Sequence, residues 1–369
     1  MKRIPLLVPR MPVAEQLLPY LKQIDENQWY TNFGPLNQQL EHRIRQDCGG
    51  DRRATHVTTV SNCTVGLELA LQAWDLPRGA HVLIPAITFV ATATAVARVG
   101  MVPVIADVDP ETWVLTPEIA RAATRLMKID AIMPVSTFGF AHDTAEWDAL
   151  SAELGIPVIV DAAGAYGNQR PGLRIDVVYS FHATKSFGAA EGGAVLSPDA
   201  ERIRRIRRLA NFGIDTGNGL LVEHGTNGKM SEYHCAIGMA SFDAWDETQR
   251  ARRELMDRYM TQLRKHCPTL SHQRKDPAGV YPLMAVAIPP AGNIEQVRTY
   301  LEDQSIETRR WYSPSLSTHP ALAHTPKAGN LRTAEELGTR ILGLPFFVSL
   351  SDEDIERVCC ALSNALERI

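Results

Sequence analysis

Lys185 stands at the centre of Val178–Val195, VYSFHATKSFGAAEGGAV, among small, aromatic and hydroxyl residues closed by Gly192 and Gly193. A lysine in such company is not one that a helix holds out into water, and an enclosed amine can serve as a nucleophile or a proton carrier. Asp161 ends the apolar run Pro157–Val160 and precedes Ala162, Ala163 and Gly164. A carboxylate placed there loses its water and should meet a cation or a protonated nitrogen. Ser61-Asn62-Cys63-Thr64 sits where a strand passes into a helix, and free N–H groups beside hydroxyls at a helix N-terminus make an anion site. Phe89 follows a third strand and the turn Pro85-Ala86. Each residue also has an ordinary structural use. Ser61 or Thr64 can simply cap its helix, Asp161 can do the same, and His182 can be a packed, hydrogen-bonded histidine.

Taken together, the pieces satisfy the needs of pyridoxal 5′-phosphate. Its aldehyde requires a lysine for a Schiff base, its ring nitrogen requires a carboxylate that keeps it protonated, and its phosphate suits a helix N-terminus. Phe89 can cover one face of the ring. No Walker or G-x-G-x-x-G fingerprint competes: Gly213, Gly217 and Gly219 fall in a loop without the required strand and helix.

These residues need a scaffold that brings strand ends together. Short apolar runs at 55–60, 81–84, 102–106, 130–135, 157–160 and 176–180 alternate with helical spacing, such as Leu67, Ala70, Leu71 and Trp74 on one face. Continuous apolar strands separated by helices predict a mostly parallel sheet covered on both faces, hence an α/β domain whose ligands bind beyond the carboxyl ends of the strands. Helices are expected at 13–25 and 37–47, with Trp29–Pro35 (WYTNFGP) between them as an irregular aromatic loop, either a hinge or lid or an anchor packed on the main domain. A long helix near 246–265 then leads to a strand at 281–288 and helices at 294–304, 333–342 and 352–367. The expected division is a large domain over 1–245 and a smaller α+β domain over 246–369.

Composition excludes several classes. A formal net charge of -4 gives no reason to expect nucleic acid or an anionic membrane as partner. The basic run ERIRRIRR at 201–208 places Ile203 and Ile206 at helical spacing and reads as a solvated helix face. The six cysteines show no metal spacing, so no metal is expected. Pro5, Pro9 and Pro12 interrupt the apolar N-terminus, and no stretch reaches the roughly 18 to 20 apolar residues of a membrane helix. A reducing cytoplasm is the expected location.

The chain resembles the DegT/DnrJ/EryC1/StrS family of sugar aminotransferases, of the aspartate aminotransferase type I fold. The resemblance runs from Trp29-Tyr30-Thr31 to Gly343-Leu344-Pro345 through SNCTVGLELAL at 61–71, PAITFVATATAV at 85–96, PVIVDAAGAYG at 157–167, SFHATKSF at 180–187, EGGAV at 191–195 and HGTNGKMSE at 224–232. It implies a seven-stranded, mostly parallel sheet. It places the Schiff-base lysine on Lys185, the ring-nitrogen carboxylate on Asp161 and the stacking aromatic on Phe89. The phosphate ligands fall on Cys63, Thr64 and Ser180, and on Asn227 reaching across from a neighbouring subunit, so that the active unit is a homodimer. Three positions depart from the family pattern: Gly164 where it has Gln, Lys229 where it has Arg, and Ala190 where it has Gly.

The resemblance further implies a two-stage transamination. L-Glutamate donates its amine, pyridoxamine 5′-phosphate carries it, and a nucleotide-linked 4-keto-6-deoxy sugar, expected to carry dTDP, accepts it. Arg309, Arg310 and Trp311 in ETRRWYSP, together with Tyr30 and Thr31, are the expected substrate contacts. The alternatives are amination at C3, a keto-sugar 3-dehydratase, whose relatives carry His in place of the lysine, and a non-catalytic regulatory protein. Lys185 and Asp161 argue against the last two.

Overall fold

The computed structural model describes residues 2–49 and 55–368. Among the described residues ten strands form, in chain order: β1 (His56–Val60), β2 (His81–Pro85), β3 (Val102–Ala106), β4 (Ala131–Ile132), β5 (Ile159–Asp161), β6 (Asp176–Ser180), β7 (Gly193–Ser197), β8 (Met284–Ala287), β9 (Lys327–Ala328) and β10 (Ile341–Leu344). Two four-stranded ladders, β1-β7-β6-β5 and β4-β2-β3-β9, are joined by parallel bridges Ile132↔Val158 and Val135↔Asp161. The result is one sheet of the seven expected strands with β9, two residues long, added on the edge beside β3. Among the seven, β7 alone runs against its neighbours. The chain is thus an α/β protein of the pyridoxal phosphate-dependent transferase type I fold.

Both faces of the sheet are buried, and successive residues point to opposite cores. Ile84, Ile105, Val178 and Val195 enter one core with Leu67, Leu71 and Val96, while Leu83, Val104, Tyr179 and Leu196 enter the other with Leu36, Leu40 and Trp147. A third core lies under the antiparallel pair β8–β10, with Tyr259 and Leu263 of the helix Trp245–His266 and Leu362 of the helix Asp352–Leu366. Ile4 joins this third core and pairs with Ile306.

Two elements differ from expectation. The helix expected over 333–342 ends at Arg340, and Ile341 and Leu342 belong to β10, where they pair with Ala287 and Val286. The basic run is not a solvated face. Arg202 is tied to the fully buried Asp176 at 2.8 Å and lies 3.6 Å over the Trp74 ring, and Arg207 grips Glu41 at 2.7 Å while stacking 4.0 Å over Phe33. Arg205 and Arg208 both reach Glu223 at 2.7 Å. These arginines bind the helix Ala200–Ala210 to its neighbours, because their guanidinium heads find carboxylates and two of them also stack on aromatic rings.

Among the described residues no helix is long and apolar enough to cross a membrane, and no group of three or more His, Cys, Asp or Glu side chains could hold a metal ion.

Candidate active site

A cavity of about 1030 Å³ opens beyond the carboxyl ends of β1, β2, β4, β5 and β6. It brings together Ser61–Thr64, Thr88 and Phe89, Asp161, Ser180 and Lys185, each from a different strand end, as the parallel topology requires. Arg309 and Trp311 also line it.

Asp161 is the last residue of β5 and is 4% exposed. Its Oδ2 accepts from the Thr92 hydroxyl at 2.8 Å and its Oδ1 from the Ala163 N–H at 3.1 Å. Burial pushes its carboxyl above the usual carboxylate range. The Thr92 hydroxyl, the Ala163 N–H and the charge of Lys185 pull in the opposite direction. No salt bridge engages Asp161 within the chain among the described residues, so a protonated ligand nitrogen would find an acid prepared for it.

At the other end lies the N-terminus of the helix Cys63–Ala73. The capping residue is Asn62, whose Oδ1 accepts from the Val65 N–H at 3.0 Å, rather than Ser61 or Thr64. This frees the Ser61 and Thr64 hydroxyls and the N–H groups of Cys63 and Thr64 for an anion. Gly193 of β7 completes this end: a Cβ there would stand 2.6 Å from the Tyr179 carbonyl oxygen and 3.0 Å from the Cys63 nitrogen, so only glycine permits this approach.

Lys185 stands on a turn closed by its own N–H to the His182 carbonyl at 2.9 Å and by Ala183 N–H to Ala190 O at 2.9 Å. The turn is anchored by Phe187, buried in an aromatic cluster with Tyr166, Phe181, Phe242 and Trp245. His182 lines the cavity. Its Nδ1 lies 2.9 Å from Thr184 Oγ1, and its Nε2 lies 3.5 Å from Glu191. Among the described residues no carboxylate forms a salt bridge with Lys185. The donor set therefore fits pyridoxal 5′-phosphate: a helix N-terminus with hydroxyls, a buried carboxylate and a lysine face one cavity, with Phe89 at its wall.

Four expected residues lie elsewhere. Arg310 is held by Glu295 at 2.8 Å and by the Gly338 carbonyl at 3.0 Å, away from the cavity. Tyr30 stacks on Tyr233 at 6.4 Å on the outer surface, and Thr31 and Asn227 are exposed there too, none of them lining this chain's own cavity. The cavity adds Tyr312, which stacks on Phe138 at 5.0 Å, and also Ser136, Thr137 and His319. Tyr312 directly follows the nominated Trp311, but its segment has no periodicity that would have singled it out. Gly164 lines the cavity, and a Cβ on it would meet Gly139 at 3.5 Å and Pro282 at 3.6 Å.

The chain matches the model of the DegT/DnrJ/EryC1/StrS aminotransferase family over residues 13–363. It is 30% identical over 380 residues to Protein Rv3402c of Mycobacterium tuberculosis, covering 98% of this chain and 90% of that one. It is also 30% identical over 370 residues to the dTDP-4-amino-4,6-dideoxy-D-glucose transaminase of Escherichia coli, covering 97% of each. Among solved structures it superposes on DesI, determined in the presence of its TDP-sugar product, with a TM-score of 0.88 and 31% identity over 100% of this chain and 94% of DesI. The chain therefore belongs to the DegT/DnrJ/EryC1/StrS aminotransferase family and is a pyridoxal 5′-phosphate-dependent transaminase.

Proposed function

We propose that the chain moves an amino group from L-glutamate to a nucleotide-linked 4-keto-6-deoxy sugar, with dTDP as carrier, giving a 4-amino-4,6-dideoxy sugar nucleotide. The observation that carries this reading is the meeting of Lys185, Asp161 and the Cys63–Ala73 N-terminus on one cavity. The Escherichia coli relative, a dTDP-4-amino-4,6-dideoxy-D-glucose transaminase, and DesI, solved in the presence of its TDP-sugar product, support the choice of substrate.

Bound pyridoxal phosphate supplies a carbonyl carbon for amine exchange and a ring that draws electrons from the reacting carbon. Lys185 would hold that carbon, and its Nζ, when free of it, would be the base placed to carry a proton between the donor Cα and the cofactor. Asp161 would keep the ring nitrogen protonated, with its own ionised form favoured by the Thr92 hydroxyl and the Ala163 N–H. The Thr64 and Ser180 hydroxyls and the Cys63 and Thr64 N–H groups would hold its phosphate, and Phe89 would cover its ring. Arg309, whose guanidinium lies 4.8 Å over the Trp311 ring, and Trp311 itself stand at the cavity for the sugar nucleotide.

Asn227, Tyr30 and Thr31 serve the site of a second copy, in a homodimer with shared active sites. Support comes from an outer surface that leaves Leu220 61%, Leu221 63%, Phe212 48% and Tyr233 48% exposed, more large apolar area than water favours. The division into a large domain to residue 245 and a small one from 246 is part of the same proposal.

The test is direct. The holoenzyme is incubated with glutamate and dTDP-, UDP- and GDP-linked keto sugars, and product regiochemistry is read by NMR. A C4 amine on the dTDP sugar is expected, and a C3 amine or exclusive use of another nucleotide overturns the substrate assignment. Lys185→Ala should lose turnover while retaining cofactor through its phosphate, and Asp161→Asn should lose several kcal/mol of barrier lowering. A mixture of inactive Lys185→Ala and Asn227→Ala chains that recovers activity supports the shared site, and strictly monomeric active protein refutes it.

A further inference from the structure

Arg252 projects from the helix Trp245–His266 and is 5% exposed. A buried guanidinium is ordinarily matched by a carboxylate, yet among the described residues none bonds to this one. Its Nη1 donates to the Tyr281 carbonyl at 3.1 Å, its Nη2 reaches the Lys185 carbonyl at 3.5 Å, and its Nε has no acceptor. Burial, with a smaller contribution from Arg10, lowers its pKa to about 10, which still leaves it charged at neutral pH.

The two carbonyls belong to the two sides of the active cavity. Lys185 stands on the turn after β6. Tyr281 leads into Pro282 and Leu283, which line the cavity, and Pro282 packs within 3.6 Å of the Cβ position of Gly164. A long apolar side chain at 252 would fill the same volume without desolvating a charge, an exchange that is often neutral or stabilising. Packing alone therefore gives no reason for arginine here, whereas two carbonyls facing one planar fork do.

We infer that Arg252 is a positioning residue that clamps the lysine turn to the Tyr281–Leu283 wall and so fixes where the Lys185 amine stands in the cavity. The inference rests on Lys185 being the cofactor-bonding lysine. Freed of the clamp, the turn keeps its aromatic anchor at Phe187, so the protein folds and binds cofactor, but the amine reaches the cofactor carbon less often.

The experiment mixes cofactor-free protein with saturating pyridoxal phosphate and follows, by stopped flow, the visible band that develops as the lysine bonds to the cofactor. Arg252→Met should slow the first-order development of that band about tenfold, the scale expected for a sub-ångström misplacement. Its kcat should fall by a similar factor while the glutamate KM changes by less than about threefold. Arg252→Lys, which can donate to one carbonyl but cannot span both as the fork does, should fall between Arg252→Met and wild type. Wild-type band development and kcat in Arg252→Met overturn the proposal, as does failure of Arg252→Lys to differ from Arg252→Met. Should Arg252→Met fail to fold, Arg252→Gln carries the test: a rate at least threefold slower supports the clamp and a wild-type rate overturns it. A wild-type band that survives in Lys185→Ala would instead sink the assignment of Lys185, leaving the two failures distinguishable.

Discussion

The Thr92 hydroxyl donates to Asp161 Oδ2 at 2.8 Å, from within the helix Val90–Arg98 that starts directly after Phe89. Thr88 lies 2.9 Å behind it, and because the Thr92 proton is committed to the carboxylate, Thr88 is the donor between the two hydroxyls. One short helix thus sets both the aromatic residue at the cavity wall and a hydrogen bond that favours the ionised form of the buried acid.

Thr92→Val preserves shape and removes that donor. A hydrogen bond to a charged group contributes roughly 1.5–3 kcal/mol, so kcat should fall about tenfold or more. Burial already raises the carboxyl of Asp161, and losing Thr92 raises it further. The acidic limb of the kcat profile should therefore move to higher pH. An unmoved limb with unchanged kcat would remove Thr92 from the support of Asp161.

Lys185, Asp161, Phe89 and Ser61–Thr64 are legible because each lies at or just beyond the end of an apolar strand run, and a parallel sheet gathers such positions at one edge. The strand β7, Gly193–Ser197, is not among the apolar runs that read as strands. What sequence alone did not reveal depends on contacts across long separations. Arg309 and Arg310 are adjacent in the chain, but backbone pairing with Gly343 holds Arg309 at the cavity while Glu295 draws Arg310 off. The basic run at 201–208 looked solvated because its partners, Trp74, Asp176, Glu41 and Glu223, lie on other elements. Thr92 sits on a helix face whose only visible pattern was small residues, so nothing marked it as a partner of Asp161.

Glu232 explains the acidic end of HGTNGKMSE. It is 1% exposed, and its carboxylate accepts the N–H groups of Leu36 at 2.7 Å and Asn37 at 2.9 Å, capping the helix Pro35–Gly49 from nearly two hundred residues away. Gly34 allows the approach, since a Cβ there would stand 2.8 Å from the Glu232 carboxyl carbon. Glu232→Ala strands two buried donors and should cost about 3 kcal/mol in urea unfolding, with Glu232→Gln, which retains one acceptor, costing less. Equal stability in all three proteins would contradict the capping role.

Ala190 has φ +62°, a left-handed conformation that glycine adopts without strain. It sits in the turn that carries Lys185, its carbonyl accepting from the Ala183 N–H at 2.9 Å. Relief of the Cβ clash is partly offset by the extra freedom of glycine in the unfolded chain. Ala190→Gly should therefore stabilise the protein by about 0.5–1 kcal/mol with kcat within about twofold of wild type. A loss of stability in the same urea assay would contradict the strain.

His142 gives a pH dependence that can be separated from the chemistry. It is 6% exposed, lies edge-on to Phe140 and Trp147, and among the described residues its Nε2 has no partner. Burial holds its pKa down, from 6.5 to about 4. The unfolded chain therefore binds a proton at a higher pH than the folded one. Above pH 6.5 both states are neutral and the residue adds no pH dependence. Between pH 6.5 and 4 the unfolded state gains its proton first, and stability is lost as pH falls, by about 3 kcal/mol over the window. His142→Phe, which keeps an aromatic ring between the same neighbours, should flatten the fall in unfolding free energy between pH 6.5 and 4 relative to wild type, whatever its effect on stability at pH 7. Parallel pH curves for the two proteins would show that the imidazole does not titrate in this way.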